Sequence, residues 1–531
     1  MSDRPARTAS PLFLCTTRPI RHDPRVGFFR PLVAALMAPS FGTSGLRGLV
    51  SDLTPACINA YVRGFLHCCA WEGPLYLGRD LRPSSAQIAA VVAATARGAG
   101  RQVVDCGALP TPALAWAASK ATAGAIMVTG SHIPADRNGL KFYGPHGEIT
   151  KPQETAITQR VRTQGQSAQM HPAPMTTAAQ GNSDAYACYL QRYITGFGVG
   201  RLAGMRIGVY HHSSVASDGL ARVLCALGAK VVELDRQATF TPLDTEALAP
   251  DLCRQLARHV ATHKLDALVS TDGDGDRPLL VDGQGGIVAG DLLGWITAQA
   301  VGATDICTPV NCNDLLRQHT GGMQVHLTRI GSPYVLAQMA RVSSATALQQ
   351  RPVDAGLHMD RGDPPRVIGF EANGGFILGF QISGKINISP LWTRDAYLPL
   401  LCVLTEAWGQ GKTVAQLVAD LGAAAKRSDR LAEIDRAGAG AVLSALCTDP
   451  QYRARFFHPE GRLVGIEETD GLRCDFANGL SVHLRLSGNA PELRIYIQGP
   501  HIRVVDQAMN ALKVRLSTAL AGRAGEAAGS A

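Results

Sequence analysis

The sequence predicts an α/β protein of several domains, three α/β units in succession and then a C-terminal α+β unit, and three observations carry that expectation. Short apolar runs of strand length alternate with alanine-rich segments of helical spacing through most of the chain. Residues 426–531 break that alternation and set short strands ahead of one terminal helix. The length of 531 residues exceeds what a single hydrophobic core fills, at roughly 100–150 residues per domain. A composition 46% hydrophobic and 18% charged belongs to a folded chain. No apolar run reaches the roughly 18–20 residues of a membrane-spanning helix.

Residues 1–39 hold proline and arginine without a sustained period and are expected to be a flexible extension, with Met37 a candidate natural start. The first α/β unit is expected over residues 40–195. Ser40–Gly48, SFGTSGLRG, reads as a glycine-rich turn able to approach an anion. Cys57–Cys69 has helical spacing, Leu75–Leu77 leads into GRDLRPSS at Gly78–Ser85, and Ile88–Ala99 is a second helix. Val103–Val104 is a strand and Thr111–Lys120 a helix. Ile126–Val128 is a buried strand, after which Gly130 through Gly139 is expected to break any regular element. Lys151–Asn182, rich in polar and small residues, is expected to cross the surface and lead to a helix around Asp184–Tyr193.

The second unit, 196–300, opens with a strand at Met205–Tyr210, a helix at Asp218–Leu227 stopped by Gly228, and a strand at Lys230–Leu234. A helix at Leu252–His259 precedes a strand at Ala267–Ser270. The third unit, 301–425, has its landmarks at Ile306–Pro309, Thr328–Val335 and Val367–Gly379, with Gln349–Pro365 a surface excursion and helices at Leu398–Ala407 and Val414–Leu421. Residues 426–531 are expected to begin with a linker that includes Gly438–Gly440. Strands at Leu472–Phe476, Leu480–Leu486 and Glu492–Ile497 and a helix at Val505–Leu520 complete the chain.

Four loops carry chemistry. Ser131 follows a strand and has His132, Arg137 and Lys141 near it in sequence, cationic and polar groups suited to a phosphoryl group, although the stretch alone fits an ordinary surface loop equally. In TDGDGDRP, Thr271–Pro278, the carboxylates of Asp272, Asp274 and Asp276 alternate with glycines and can converge on one hard cation. A calcium loop would need Gly and Glu where Arg277 and Gly283 stand, so magnesium shared with phosphate fits better. Glu371 and Asn373, on a loop between apolar strands, can bind sugar hydroxyls or simply hold a turn. Arg485, Ser487, Gly488, Asn489 and Arg494 form a candidate phosphate clamp, an exposed basic turn being the other reading.

The net charge of +8 argues weakly for nucleic acid, because residues 1–36 hold six arginines against two aspartates and so supply half of it. Nothing in the body of the chain resembles a basic recognition helix, while mild positive charge steers anionic metabolites. Thirteen cysteines without a CxxC pair read as reduced thiols. With no convincing secretory signal, a cytoplasmic location is the default.

Taken together, FGTSGLRG, TGSHIPADRNGLKFY, DGDGDR, GFEANGG and RLSGNAPELRIY resemble, in order, the signatures of the phosphohexomutase superfamily, the phosphoglucomutase and phosphomannomutase enzymes, from Phe41 to Tyr496. The resemblance implies three related α/β domains and a fourth α+β domain around a central cleft, each lending one loop. It implies that Ser131 is a phosphoserine and that Asp272, Asp274 and Asp276 hold Mg2+ together with that phosphate. Arg277 would be their electrostatic or structural partner, and Glu371 and Asn373 would lie on the sugar loop. Arg47 and Lys141 are candidates for stabilising phosphoryl oxygens or moving a proton. Hexose phosphates are then the partners, and a hexose 1,6-bisphosphate is the intermediate and activator.

Departures bear on the substrate. Ile133 stands where the family commonly has an amide, Gly375 and Ser332 where some relatives have histidine, and Asn489 and Ala490 where Thr and Glu are frequent. TGSH leans toward the phosphomannomutase branch with glucose phosphates also accepted. Phosphoglucomutase is the alternative, and phosphoglucosamine mutase or a non-catalytic sugar-phosphate binder are further ones.

Overall fold

The computed structural model describes residues 39–42, 44–164, 184–318, 321–349, 364–488 and 491–529. The expected extension before Pro39, most of the expected excursion at Gln349–Pro365, and Asn489 with Ala490 lie outside the described residues. Four sheets follow one another along the chain. The first contains β1 (Ser40–Phe41), β2 (Leu46–Leu49), β3 (Leu75–Arg79), β4 (Val103–Ala108), β5 (Gly124–Val128), β6 (Arg137–Gly144) and β7 (Gly147–Glu148), in the order β1-β2-β6-β5-β3-β4 with β7 beside β6. The second, β12-β11-β10-β8-β9, uses β8 (Arg206–His212), β9 (Lys230–Arg236), β10 (Ala267–Thr271), β11 (Pro278–Asp282) and β12 (Ile287–Val288). The third, β14-β13-β15-β16-β17, uses β13 (Asp305–Pro309), β14 (Gln324–Thr328), β15 (Val367–Phe370), β16 (Phe376–Leu378) and β17 (Leu391–Asp395).

These three sheets repeat one plan. A first strand, β3, β8 or β13, has parallel neighbours on both sides, and the later of the two neighbours turns back into an antiparallel strand. The turns from β5 to β6, β10 to β11 and β15 to β16 therefore hold equivalent positions, and they carry Ser131, the three aspartates, and Glu371 with Asn373. One apolar cluster runs from Leu109 through Leu293 and Phe370 to Leu417, so the three sheets share a core and their loops are fixed relative to one another. The fourth sheet, β18-β22-β21-β20-β19, is antiparallel throughout and is built from β18 (Ala425–Leu431), β19 (Leu463–Glu467), β20 (Leu472–Phe476), β21 (Ser481–Leu486) and β22 (Leu493–Gly499). It keeps a separate core against the terminal helix Ile502–Gly529 and meets the third sheet through polar contacts, with Gln498 bridging the Asp314 amide and the Cys312 carbonyl.

Three expectations need correction. Lys151–Gln164 is a helix and not a surface crossing, because Ile157 is fully buried and lies over Gly64, where an added Cβ would stand 3.1 Å from its Cγ2. Arg436–Thr448 is likewise a helix where a linker was expected. The Asp435 side chain accepts from the Ala437 and Gly438 amides, and Ala439, Val442 and Leu446 form a buried stripe that outweighs the cost of about 1 kcal/mol per glycine. The stretch Gly130–Gly139 does regain regular structure, since β6 begins at Arg137. Gly139 is needed within it because a side chain there would collide with the Leu46 carbonyl oxygen of β2. Ser40–Phe41 and Leu46–Leu49 therefore pair as the β1–β2 strands, laid along β6 with Arg47 directly opposite Gly139.

Among the described residues no helix is long and apolar enough to cross a membrane, and the described cysteines are all free thiols. Replacing Ile157 with Ala should cost about 2–5 kcal/mol of stability in urea unfolding, as a buried aliphatic truncation does; an unchanged midpoint would show that the Lys151–Gln164 helix contributes nothing to the first core.

Candidate active site

Ser131 is buried at the end of β5 and adopts a left-handed backbone with φ of 53°, a conformation that costs a non-glycine residue energy and must be held from outside. The holding group is a fully buried pair, Asp80 and Arg82. Arg82 donates to the carbonyls of Ser131 (2.8 Å), Ile133 (2.6 Å), Pro134 (2.7 Å) and Arg137 (2.9 Å) while its Nε meets Asp80 at 3.2 Å. Asp80 also accepts from Thr129 Oγ1 at 2.7 Å, and that oxygen accepts the Ser131 amide at 2.8 Å. One guanidinium thus satisfies four carbonyls of a loop that could not satisfy them itself. The Arg82 guanidinium also stacks 4.4 Å over Phe240 from the second unit.

The Ser131 hydroxyl donates to Asp272 Oδ2 at 2.5 Å and lies 3.3 Å from His132 Nδ1. Asp272, Asp274 and Asp276 are all buried, with one oxygen from each within 4.8 Å of the others. Lys141, from β6, donates to Asp274 Oδ2 at 2.6 Å and to Asp276 Oδ2 at 2.5 Å, and Thr111 Oγ1 adds a 2.5 Å bond to Asp274 Oδ2. Asp272 Oδ1 accepts the amides of Asp276 and Arg277. Oδ1 of Asp274 and Oδ1 of Asp276 are buried with no hydrogen-bond partner. Such orphaned carboxylate oxygens are expensive unless a cation takes them, and an all-oxygen set of three carboxylates fits a small hard dication. Burial and the charges of Asp274 and Asp276 push the Asp272 carboxyl well above its usual range. Burial pushes Asp276 upward too, but Arg394, Lys141 and Arg277 hold it well below the usual value.

Cations surround this cluster. Burial draws Lys141 down, yet Asp274 and Asp276 outweigh it and leave the ammonium raised. Arg47 is pulled down to about 10 by burial and then by the charges of Arg277 and Arg394. Arg277 reaches toward Asp244 at 3.7 Å and Asp276 at 3.9 Å. His132 is held well below its usual value by burial, Arg277 and Arg47, and is neutral at pH 7. Glu371 Oε2 and Asp276 Oδ2 share one partner, Arg394 of β17, each at 2.7 Å. The Asn373 side chain accepts the Gly375 amide at 3.0 Å and so holds its own turn.

The fourth-sheet residues form a separate group. Arg485, Arg494 and Arg430 are directly opposed across β21, β22 and β18, a row of like charges that disfavours itself without an anion. Glu492 partners two of them, Arg494 at 2.8 Å and Arg430 at 3.4 Å. Arg485 approaches Asp470 at 3.4 Å. The Ser487 carbonyl accepts from Arg436 at 2.7 Å, and Gly488 is exposed with open space around its Cα. Asn489 lies outside the described residues. A cavity of about 270 Å³ is lined by Arg430, Arg494 and Tyr496 together with Asp244 and Glu246, and Asp244 lies 3.7 Å from Arg277.

The structure therefore gathers Ser131, His132, Arg47, Lys141, Arg277 and the three aspartates in one cluster, brings Glu371 to it through Arg394, and sets the arginine row across a cavity. Arg137 contributes only a carbonyl, its side chain being exposed. Asp80, Arg82, Thr111, Arg394 and Arg430 were missed by sequence reasoning. Arg82 and Arg394 did leave a signal, an arginine beside aspartate (Arg79-Asp80-Leu81-Arg82 and Arg394-Asp395) next to an otherwise apolar strand.

A buried triad of carboxylates, a serine hydroxyl directed at it and cations on every side define an enzyme of metal-dependent phosphoryl transfer. Residues 38–168 match the family description phosphoglucomutase/phosphomannomutase, alpha/beta/alpha domain I, and residues 184–286 match domain II. A phosphomannomutase of Sinorhizobium fredii is 40% identical over 469 residues, 87% of this chain and 95% of that one. A phosphomannomutase of Salmonella muenchen is 36% identical over 491 residues, 90% of this chain and 97% of that one. The crystal structure of a phosphoglucomutase/phosphomannomutase family protein from Burkholderia thailandensis shares the fold, with a TM-score of 0.68 at 19% identity over 91% of this chain and 97% of that one. The chain belongs to the phosphoglucomutase/phosphomannomutase family.

His483, on β21, gives the folding stability a pH dependence. Its Nε2 donates to the Asp470 carbonyl at 2.6 Å, and burial pulls the ring down to about 4. The unfolded chain takes up that proton nearer pH 6.5, so between those values it binds more protons than the folded chain. Stability from this group is complete above about pH 6.5 and is lost as pH falls toward 4, by up to about 3 kcal/mol. Urea unfolding across that range should show the loss, and H483Q should flatten it; parallel profiles for the two proteins would contradict the assignment.

Proposed function

We propose that this chain is a phosphomannomutase that interconverts mannose 6-phosphate and mannose 1-phosphate through a phosphorylated Ser131 and a hexose 1,6-bisphosphate, and that it also turns over glucose phosphates. The observation that carries the reading is the Ser131 hydroxyl, buried and 2.5 Å from Asp272 of the triad. Passive binding of a sugar phosphate needs no serine at that place. The similarity to two proteins named phosphomannomutase and the TGSH sequence support mannose over glucose.

A sugar hydroxyl oxygen forms a bond to the phosphorus on Ser131 as the serine ester bond breaks, leaving the bisphosphate and a free serine. After the bisphosphate turns over, the Ser131 oxygen takes the other phosphoryl group and the sugar oxygen leaves. At that step the Ser131 proton faces two acceptors, Asp272 Oδ2 and the neutral His132 ring. Lys141, held charged by two carboxylates, and Arg47 would stabilise phosphoryl oxygens. Asp272, Asp274 and Asp276 would hold Mg2+, which when bound offsets charge on the transferring group. The arginine row, with Ser487, Gly488 and Asn489, would take the phosphate not being transferred, and Glu371 the sugar hydroxyls.

Catalytic efficiencies measured side by side on mannose 1-phosphate, glucose 1-phosphate and glucosamine 1-phosphate should rank mannose first with glucose appreciable. Negligible mannose turnover beside strong glucose turnover would replace the substrate with glucose and leave the mutase intact. S131A should abolish turnover while unfolding normally, and wild-type turnover in S131A would refute the serine route.

A further inference from the structure

The third sheet reaches the carboxylates of the acidic cluster through Arg394. Arg394 stands on the edge strand β17 with only 2% of its surface exposed. One arm of its guanidinium donates to Glu371 Oε2 at 2.7 Å and the other to Asp276 Oδ2 at 2.7 Å. The same Asp276 oxygen accepts Lys141 at 2.5 Å, so two cations share it, while the other oxygen is buried without a hydrogen bond, 3.9 Å from Arg277 Nε. The approach depends on Gly375: an added Cβ would stand 2.9 Å from Arg394 Cδ and 2.9 Å from the Asp276 carbonyl oxygen.

We propose that Arg394 is a positioning residue that couples Glu371 of the sugar loop to Asp276 of the metal loop, so that whatever engages Glu371 alters how tightly the aspartates hold a divalent cation. The inference rests on the mutase reading for the meaning of the two loops but not for its geometry. A planar guanidinium divides its charge between two carboxylates in a fixed fork, which an ammonium does not reproduce. When Glu371 turns to a sugar hydroxyl, the full charge of Arg394 falls on Asp276 and opposes a cation there. Linkage requires the converse as well, a bound cation changing the affinity of the sugar loop by the same factor.

A double-mutant cycle read by Mn2+ binding alone tests this on the full-length, dephosphorylated protein, with free Mn2+ followed by electron paramagnetic resonance. E371Q in the wild-type background should weaken Mn2+ binding about 3- to 10-fold, and in the R394M background by less than about twofold, the signature of two residues acting through one contact. An equal factor in both backgrounds, or no effect of E371Q in the wild type, would overturn the coupling. If R394M does not fold, R394K serves: its ammonium satisfies one carboxylate, so the E371Q factor should fall below half its wild-type size, and an undiminished factor would overturn the proposal. Coupling without hexose phosphate turnover would fail the functional reading alone, and turnover without coupling would fail this inference alone.

Discussion

Three carboxylates confined to one six-residue turn, Asp272 to Arg277, are the constraint that the remaining structure answers. Each is buried, and burial together with their mutual repulsion pushes the Asp272 carboxyl upward. The chain meets it with cations drawn from three different sheets: Lys141 from β6, Arg277 from the turn itself and Arg394 from β17. A buried charge left unpaired would cost several kcal/mol, so the site can exist only where those sheets are locked together. The apolar cluster that runs through all three supplies the lock.

The repeated sheet plan explains why the chemistry converges. In each of the first three units the turn after the later parallel strand projects from the same end of its sheet, and the shared core aims the three turns at one another. Strain is then tolerated where it is useful, as at Ser131, whose left-handed backbone persists because Arg82 grips four carbonyls around it. The fourth sheet has its own core and polar contacts to its neighbour, and it presents its arginines across a cavity and not in direct contact with the aspartates.

Much of this was legible in the sequence. The α/β order follows from apolar periodicity and the aspartate turn from three carboxylates alternating with glycines, while the Ser131 loop became legible only together with the other motifs. Two local errors share a cause: Lys151–Gln164 and Arg436–Thr448 carry weak helical patterns, and burial of Ile157 and of Val442 with Leu446 decides their structure. Arg82 and Arg394 were readable only as charges beside strands, because their roles depend on carbonyls and carboxylates far away in the chain, from Ser131 to Arg137 and at Asp276. Arg430 was illegible for a similar reason, its partner row being set by strand register.

The central claim is that Ser131 carries the phosphoryl group in transit. Exposure of the full-length protein to glucose 1,6-bisphosphate with Mg2+, followed by intact-mass and phosphopeptide analysis, tests it most directly. The account predicts one added phosphoryl group on the peptide containing Ser131, and its partial loss when the bisphosphate is removed and a large excess of hexose 1-phosphate is added, the lost group leaving in hexose 1,6-bisphosphate released to solution. A protein that turns over hexose phosphates while Ser131 stays unmodified, or that gains its phosphate at another residue, would contradict it.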